Sequence, residues 1–262
     1  MNANRLQRLF GRKKADILSV YFTAGYPENL SVAEIVSSLE KGGVDMVEIG
    51  VPFSDPVADG PTIQSSSSAA LKGGMTLRKV LDQTAEARKL VPEMPFVLMG
   101  YINPFLHYGI DELFKRCSEV GVDALIIPDL PFDEYVATLK PLCDRYGIPI
   151  VMLVTPETEP ERILKIDSEC DGFIYMVSAA SVTGTRDAYT DAQLDYFHRV
   201  NSMDLSHPRL IGFGISNATT YRQACSNAAG AIIGSLFVKC LSAHPCDPDS
   251  AVAELRSTLG LS

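Results

Sequence analysis

A buried-looking strand runs into a proline-rich loop in the stretch Val47-Glu-Ile-Gly-Val-Pro-Phe-Ser-Asp-Pro-Val-Ala-Asp-Gly-Pro-Thr-Ile-Gln64. The strand carries one carboxylate, Glu48, and the loop carries two more, Asp55 and Asp59. Proline fixes the backbone angle φ and narrows the unfolded ensemble, so a loop with several prolines holds a defined shape. A stiff loop that presents acids beside an acid on a strand is how an acid/base site is built. The alternative is a sharp strand-to-helix connection whose acids are only solvated.

The strand-then-helix unit of this stretch recurs along the chain. Apolar, β-branched runs predict strands. Between these runs lie segments whose apolar residues recur at helical spacing. Those runs are Ile17–Thr23, Met46–Gly50, Phe96–Asn103, Ala124–Asp129, Ile150–Val154, Gly172–Ser178, Leu210–Gly214 and Ala231–Gly234. Eight alternations in roughly 250 residues predict a (β/α)8 TIM barrel, a single domain over residues 1–262. The alternative, an open doubly wound sheet, would need G-x-G-x-x-G at a strand end, and the sequence Gly212-Phe-Gly214 lacks the third glycine.

Two further helices are predicted at the ends of the chain. The segment Arg5-Leu-Gln-Arg-Leu-Phe-Gly-Arg-Lys-Lys14 lacks the apolar run of a signal peptide. It predicts an amphipathic helix that caps the barrel, with a transit peptide as the alternative. After strand eight, Ser235 is placed to cap a short extra helix over Leu236–Leu241.

Composition argues against several classes of partner. A net charge of −9 and a pI near 5.0 disfavour nucleic acid or an anionic membrane as the main partner. Six cysteines without a C-x-x-C pair favour a reducing cytoplasm. The four histidines show no ligand spacing, so no metal site is expected. No apolar run is long enough to span a bilayer.

Barrel geometry predicts where Glu48 points. Alternate residues of a barrel strand face inward, so Glu48 points into the barrel if Val47 and Ile49 pack against the helices. An inward carboxylate with no Arg or Lys beside it in its strand should have a raised pKa, which suits proton transfer. The alternative is a structural carboxylate that pairs with a cation from elsewhere in the chain.

Bulky residues near several strand ends predict an apolar slot that accepts a planar ring. On their own they could equally be barrel filling. The residues are Tyr21, Met99, Tyr101, Ile126, Leu153 and Tyr175.

Glycines after the last three strands predict a phosphate site. Glycine lets the backbone approach a ligand closely, and free amides at a helix N-terminus bind anions. Loops after strands seven and eight with a short extra helix form the recurrent phosphate site of this fold. The residues concerned are Gly184, Gly214, Gly234 and Ser235.

These motifs together resemble the alpha subunit family of tryptophan synthase, from residue 3 to residue 260. The stretch from Glu48 to Gln64 is the most specific of them. The others are Phe22-Thr-Ala-Gly-Tyr-Pro27, Pro128-Asp-Leu-Pro131, Ser178 with Val182-Thr-Gly184, Gly212-Phe-Gly-Ile-Ser216 and Gly234-Ser235. The resemblance implies a (β/α)8 barrel that cleaves indole-3-glycerol phosphate to indole and glyceraldehyde 3-phosphate, without a cofactor of its own.

The same resemblance implies roles for single residues. Glu48 would be the general acid/base, Asp59 would face the indole N–H, and Thr183 would hold Asp59 in a closed loop. Tyr175 would lie beside the ring, and the glycines with Ser235 would bind the phosphate. A surface of Pro52, Asp55 and Pro56 would meet a β subunit that carries pyridoxal phosphate, in an α2β2 heterotetramer.

The sequence departs from the family pattern in the loop Ser178–Gly184 and at Phe173, where tyrosine is common. Three other functions remain as alternatives. A triose-type isomerase would need a lysine or a histidine–glutamate pair at strand ends. A binding module for the β subunit would not need both Glu48 and Asp59. A stand-alone lyase that releases indole without a partner is the third.

Overall fold

The computed structural model describes residues 4–178 and 188–261. Within these ranges, parallel strands pair in sequence order and the last strand pairs with the first, which closes a barrel. This arrangement confirms the predicted (β/α)8 barrel. The strands are β1 (Ile17–Thr23), β2 (Met46–Gly50), β3 (Phe96–Met99), β4 (Ala124–Ile126), β5 (Ile150–Val154), β6 (Ile174–Val177), β7 (Arg209–Gly212) and β8 (Gly230–Ile233).

Helices follow every strand and surround the barrel. None of the helices within the described ranges combines the length and the apolar character that a membrane crossing would require. In chain order they are α1 (Arg5–Arg12), α2 (Val32–Lys41), α3 (Pro61–Lys72), α4 (Leu77–Leu90), α5 (Ile102–Tyr108), α6 (Ile110–Val120), α7 (Phe132–Glu134), a π-helical segment (Tyr135–Leu139), α8 (Lys140–Tyr146), α9 (Pro160–Glu169), α10 (Asp191–Asn201), α11 (Ala218–Asn227), α12 (Ser235–Ala243) and α13 (Pro248–Leu259).

Local sequence determines where several helices begin and end. Ser31 caps α2, because its side chain accepts from the amide of Glu34 while the Glu34 carboxylate accepts from the amide of Ser31. At the other end of a helix, Gly121 stops α6 in the left-handed conformation, with φ of 80°. Such caps hold the helices in register with the strands they cover.

Two separate apolar cores follow from the alternation along the strands. Val47 and Ile49 belong to the outer core between the strands and the helices. Met46 belongs to the inner cluster that fills the barrel. Glu48 shares a face with Met46, so its side chain points into the barrel as predicted.

Helix α1 closes the amino-terminal end of the barrel. Its buried residues Leu6, Leu9 and Phe10 belong to the inner cluster, and the ring of Phe10 lies 5.8 Å from that of Phe173. The sequence prediction of an amphipathic capping helix is therefore confirmed. The opposite, carboxyl-terminal end of the barrel is its mouth.

Strand and helix limits differ from the sequence prediction at two places that matter for the site. β3 ends at Met99 rather than at Asn103, because α5 begins at Ile102, whose amide donates to Asp129 Oδ1 at 2.9 Å. The extra helix α12 spans Ser235–Ala243, longer than the predicted Leu236–Leu241. Gly234 takes the cap position and Ser235 is the first helical residue, so the prediction that Ser235 caps this helix is wrong.

Candidate active site

Glu48 is a buried carboxyl group inside the barrel, 1% exposed. Ser19 on β1 donates a hydrogen bond from Oγ to Glu48 Oε1 at 3.0 Å, whereas Oε2 is buried without a hydrogen-bond partner among the described residues. Burial raises the pKa of Glu48 to about 8, and the hydrogen bond from Ser19 opposes that rise. No cation of the described ranges contributes to the shift. Glu48 therefore retains its proton near neutral pH and can give it to a group beside Oε2.

Asp59 is the second buried acid, 6% exposed, in the loop that follows β2. Its backbone is fixed on both sides, because its amide donates to the carbonyl of Pro56 at 3.0 Å and its carbonyl accepts from Gln64 Nε2 at 2.8 Å. Burial raises the pKa of Asp59 to about 6, and a hydrogen bond from the Tyr101 hydroxyl lowers it in part. Asp59 is therefore mostly ionised at neutral pH. The backbone hydrogen bonds hold its loop in a defined conformation.

Two tyrosines lie close to both acids. Burial raises the pKa of the Tyr21 phenol, and the charges of Asp59 and Glu48 add to that rise. The pKa of Tyr175 is also raised, by burial first and then by Glu48 and Asp59. Because each phenol responds to both carboxylates, both tyrosines lie near Glu48 and Asp59.

Two glycines make room for these phenols. The Tyr21 hydroxyl occupies the position that a Cβ atom on Gly50 would need, and the Tyr175 hydroxyl does the same at Gly212. Larger residues at Gly50 or Gly212 would push the tyrosines out of the site. Both glycines end their strands at the mouth of the barrel.

Most of the predicted slot residues lie together in the barrel. One inner cluster contains Tyr21, Met99, Ile126 and Tyr175, with Leu153 partly buried against it. Tyr101 lies outside this cluster, as the cap residue that precedes α5. Its ring contacts that of Phe53 at 5.2 Å, and its hydroxyl serves the loop of Asp59.

The turn after β7 presents a backbone amide. Phe213 and Gly214 both have left-handed φ angles, 70° and 75°. The carbonyl of Phe213 accepts from Ser178 Oγ at 2.7 Å and from the Tyr189 hydroxyl at 3.2 Å. Since the C=O and N–H of one trans peptide point in opposite directions, the amide of Gly214 is directed away from Ser178 and Tyr189.

The start of α12 lies next to Tyr21 and Ile63. Its first amides have no partner within the helix, as in any α-helix, and so are available to an anion. A Cβ atom on Gly234 would lie 3.6 Å from Ile63 and 3.8 Å from Tyr21. Ser235 is the first residue of the helix. Gly234 and Ser235 together form the corner at which the sequence predicted a phosphate. The other two residues expected nearby, Thr183 and Gly184, lie outside the described residues.

The loop from Pro52 to Asp59 has a mixed surface. Asp55 is exposed and accepts from Ser54 Oγ at 2.5 Å, and Pro56 is half-buried. Pro52, which the family resemblance placed on the partner-facing surface, is buried. Val57 is 82% exposed, the largest exposure among the large apolar residues of the described chain. Sequence reasoning missed Val57, although an apolar residue inside a polar, proline-rich loop is a signal for it.

Sequence reasoning also missed Ser19. It is the polar residue at an inward position of β1, between Ile17 and Tyr21 on the same face. A hydroxyl inside a barrel needs a partner, and that requirement was the available signal. As for metals, no three His, Cys, Asp or Glu side chains within residues 4–178 and 188–261 are placed to hold an ion.

A buried acid on a barrel strand and a second acid in the loop that follows it are typical of the (β/α)8-barrel enzymes as a class. Comparison with known proteins narrows that class, because residues 7–260 match the family model for the tryptophan synthase alpha chain. The chain belongs to that family. It is 46% identical to the tryptophan synthase alpha chain of Bacteroides fragilis over 259 residues, which cover 99% of this chain and 98% of the relative.

Other relatives agree with this assignment. The tryptophan synthase alpha chain of Flavobacterium johnsoniae is 51% identical over 240 residues, 91% of this chain and 94% of the relative. Among solved structures, the tryptophan synthase alpha chain of Legionella pneumophila superposes with a TM-score of 0.85 at 30% identity, covering 98% of this chain and 96% of that one.

Proposed function

We propose that this chain cleaves indole-3-glycerol phosphate to indole and glyceraldehyde 3-phosphate, as a carbon–carbon lyase of tryptophan biosynthesis. The observation that carries the proposal is the pair of buried carboxyl groups, Glu48 and Asp59, whose charges both act on Tyr21 and Tyr175. A retro-aldol cleavage needs an acid and a base at one carbon–carbon bond. Family membership supplies the substrate, which is an indole ring joined to a glycerol phosphate.

Glu48 performs both proton transfers in this proposal. Its acid form gives a proton to C3 of the indole ring, and the resulting carboxylate then takes the proton of the adjacent glycerol hydroxyl. The carbon–carbon bond breaks as that proton leaves, its electron pair returns to the ring, and Glu48 is again protonated. One positioned acid/base group contributes about 10²–10⁴-fold to such a rate.

Asp59 stabilises the charge that the first transfer creates. Protonation at C3 places positive charge on the ring nitrogen, and a fixed carboxylate beside the N–H lowers the barrier. With its pKa at about 6, Asp59 carries the required charge at neutral pH. Its hydrogen bond from Tyr101 and its backbone bonds hold the anion in place before the substrate arrives.

The slot and the corner position the two ends of the substrate. The ring occupies the space lined by Tyr21, Met99, Ile126, Leu153 and Tyr175. The phosphate binds the amides of Gly214, Gly234 and Ser235, together with Gly184, while Thr183 closes over Asp59. The short distance from Gly234 to Tyr21 supports this division, since the corner adjoins the slot.

The proposed partner is a tryptophan synthase β subunit, in an α2β2 assembly in the cytoplasm. Its pyridoxal phosphate would act on the indole that this chain releases, and no cofactor is proposed for the chain itself. The exposed Asp55 and Val57, with Pro56 between them, supply a docking surface at the mouth of the barrel. The names of the relatives, alpha chains of a synthase, support a second subunit.

The test is indole formation from indole-3-glycerol phosphate by wild type, Glu48→Gln and Glu34→Gln. Glu34 is the matched control, because it caps α2 away from the barrel and glutamine also serves in a capping box. We expect Glu48→Gln to lose about 10²-fold or more and Glu34→Gln to retain wild-type turnover. No indole from the wild type would contradict the proposed reaction, and a tenth of normal turnover in Glu48→Gln would place the acid/base elsewhere.

A further inference from the structure

Ser19 and Glu48 form a buried pair at the centre of the barrel. Ser19 is 0% exposed, and Leu18 and Val20 on either side of it face the outer core. Its partner in the parallel pairing is Met46, two residues before Glu48 on β2. The hydroxyl therefore approaches Glu48 from the closed, amino-terminal side of the barrel.

The two oxygens of the Glu48 carboxyl group have different surroundings. Oε1 accepts from Ser19 Oγ at 3.0 Å, and Oε2 is buried with no partner among the described residues. A buried polar atom without a partner is rare in native proteins, and it points to a ligand atom that completes the site. Oε1 is therefore held by the protein, and Oε2 is the oxygen that can bind a substrate.

A serine hydroxyl suits an acid that must change its protonation state. It is a neutral donor, whereas the charge of an arginine or lysine beside the carboxyl group would hold it ionised. Ser19 donates to Oε1 in both states, because Oε1 is the carbonyl oxygen of the acid when Oε2 carries the proton and a carboxylate oxygen when it does not. Its hydrogen bond therefore persists through both proton transfers.

We propose that Ser19 is a positioning residue for Glu48, holding Oε1 so that Oε2 is the oxygen that gives and takes the substrate proton. The inference rests on the proposed lyase function for its chemistry, although the pairing of the two side chains does not. Without the hydroxyl, either oxygen could face the substrate, and the buried anion would lose its donor.

Other titratable groups around Glu48 do not replace Ser19. Tyr21 on β1 and Tyr175 on β6 face it, and burial raises the pKa of both, so both phenols stay protonated. Asp59 acts on the same two phenols, but its charge does not contribute to the pKa of Glu48. Within the described ranges, the hydrogen bond from Ser19 is what moderates the rise in that pKa.

The experiment measures the titration of Glu48 directly, in the full-length chain without substrate, by carboxyl ¹³C NMR. Glu48→Gln identifies the resonance. Ser19→Ala should move the midpoint upward by roughly one pH unit, the size expected for one hydrogen bond to a charged group. Ser38→Ala is the matched control, a serine only 5% exposed on α2 that should leave the midpoint unchanged.

A second pair of variants separates the hydroxyl from packing. Ser19→Thr and Ser19→Val have nearly the same shape and differ by the hydroxyl. Threonine should restore the wild-type midpoint and valine should behave as alanine does. In turnover, Ser19→Ala and Ser19→Val should lose about tenfold in kcat with little change in KM, since an interaction of the reacting group acts mainly on kcat.

Two outcomes would overturn the inference: an unmoved midpoint in Ser19→Ala, or equal midpoints in the threonine and valine variants. Failure of the proposed function looks different. If the midpoint moves as expected but the wild type forms no indole, the pairing stands and the lyase assignment falls. If the wild type forms indole and the midpoint does not move, only the role of Ser19 is lost.

Discussion

Tyr101 ties the loop of Asp59 to the end of β3. Its hydroxyl accepts from the amide of Ala58 at 2.9 Å and donates to the Asp59 carboxylate. Tyr101 follows β3 and Asp59 follows β2. The one hydroxyl of Tyr101 therefore holds both the backbone of the loop, at Ala58, and the carboxylate of Asp59. Tyr101 therefore controls where the anion of Asp59 stands and how easily it is protonated.

Tyr101→Phe should impair turnover without unfolding the barrel. The ring contact with Phe53 remains, while both hydrogen bonds are lost. Because the hydrogen bond from Tyr101 lowers the pKa of Asp59, its loss raises that pKa and moves the acid limb of the pH–rate profile upward. Tyr146→Phe is the control, since its hydroxyl donates to Asp111 on α6, away from the site. An unchanged acid limb would contradict the role of Tyr101.

The pH profile of kcat/KM should be bell-shaped, with its maximum between the two buried acids. Asp59 must be ionised, so activity falls as the pH drops through about 6. Glu48 must be protonated at the start, so activity falls as the pH rises through about 8. Asp59→Asn should remove the acid limb from whatever activity remains. A profile that is flat up to pH 9 would exclude Glu48 as the proton donor.

Glu48→Gln should gain stability relative to the wild type as the pH rises. The folded-state pKa of Glu48 is raised from 4.5 to about 8, so the folded state binds more protons than the unfolded state between these values. Ionisation of Glu48 in the unfolded chain therefore favours unfolding of the wild type progressively from pH 4.5 to pH 8, by about 1.4 kcal/mol per pH unit. Glutamine does not ionise, so the Glu48→Gln variant does not lose stability in this way.

Urea unfolding of both proteins at pH 5 and pH 8 measures this difference. The difference to follow is the free energy of unfolding of Glu48→Gln minus that of the wild type. We expect it to be several kcal/mol larger at pH 8 than at pH 5, because each pH unit in this range contributes about 1.4 kcal/mol. Glu34→Gln should show the opposite and much smaller trend, because hydrogen bonds from Ser31 lower the pKa of Glu34. A difference independent of pH would mean that Glu48 does not titrate in this range.

Gly234→Ala should weaken phosphate binding while the fold survives. A Cβ atom there meets its neighbours at 3.6 Å and beyond, ordinary contact distances, but it projects into the corner beside Tyr21. Gly214 is a poorer choice, because its φ of 75° makes any side chain strained. We expect KM to rise about tenfold, equivalent to about 1.4 kcal/mol of lost binding, with little change in Tm.

Glycerol phosphate provides an independent measurement of the same corner. It should raise the Tm of the wild type, because a ligand that binds only the folded state stabilises it. The shift should shrink in Gly234→Ala and remain in Gly11→Ala, a glycine with open space around its Cβ position. Equal shifts in all three proteins would place the phosphate elsewhere.

The sequence predicted those parts of the site that depend on periodicity. Glu48 faces inward because Val47 and Ile49 are apolar on the other face, and alternation is a local rule. The end of β3 could not be read in this way, since Tyr101 and Ile102 continue the apolar run. The helix that follows begins at Ile102, whose amide donates to the side chain of Asp129, 27 residues away along the chain.

Contacts between distant segments explain the other differences. Tyr101 was expected in the slot, and the bond of its hydroxyl to the amide of Ala58, across 43 residues, could not be predicted. Ser19 bonds to Glu48 across 29 residues, and no local pattern joins them. Such pairs become visible only when the barrel register places β1 beside β2 and the loop of Asp59 folds over β3.

Val57→Asp should prevent docking of a β subunit without harming the isolated chain. Val57 is 82% exposed at the tip of the loop that ends in Asp59, so an apolar contact there would press directly on the segment that holds the anion. A partner that binds the ordered form of this loop better than other forms would raise its population and the rate of indole formation.

Leu90→Asp is the control, because Leu90 is 64% exposed at the end of α4, away from the mouth. With a β subunit added, we expect a complex on a sizing column and faster indole formation for the wild type and Leu90→Asp, and neither for Val57→Asp. Normal complex formation by Val57→Asp would move the docking surface away from this loop, and equal rates for the wild type with and without the β subunit would mean that docking does not control it.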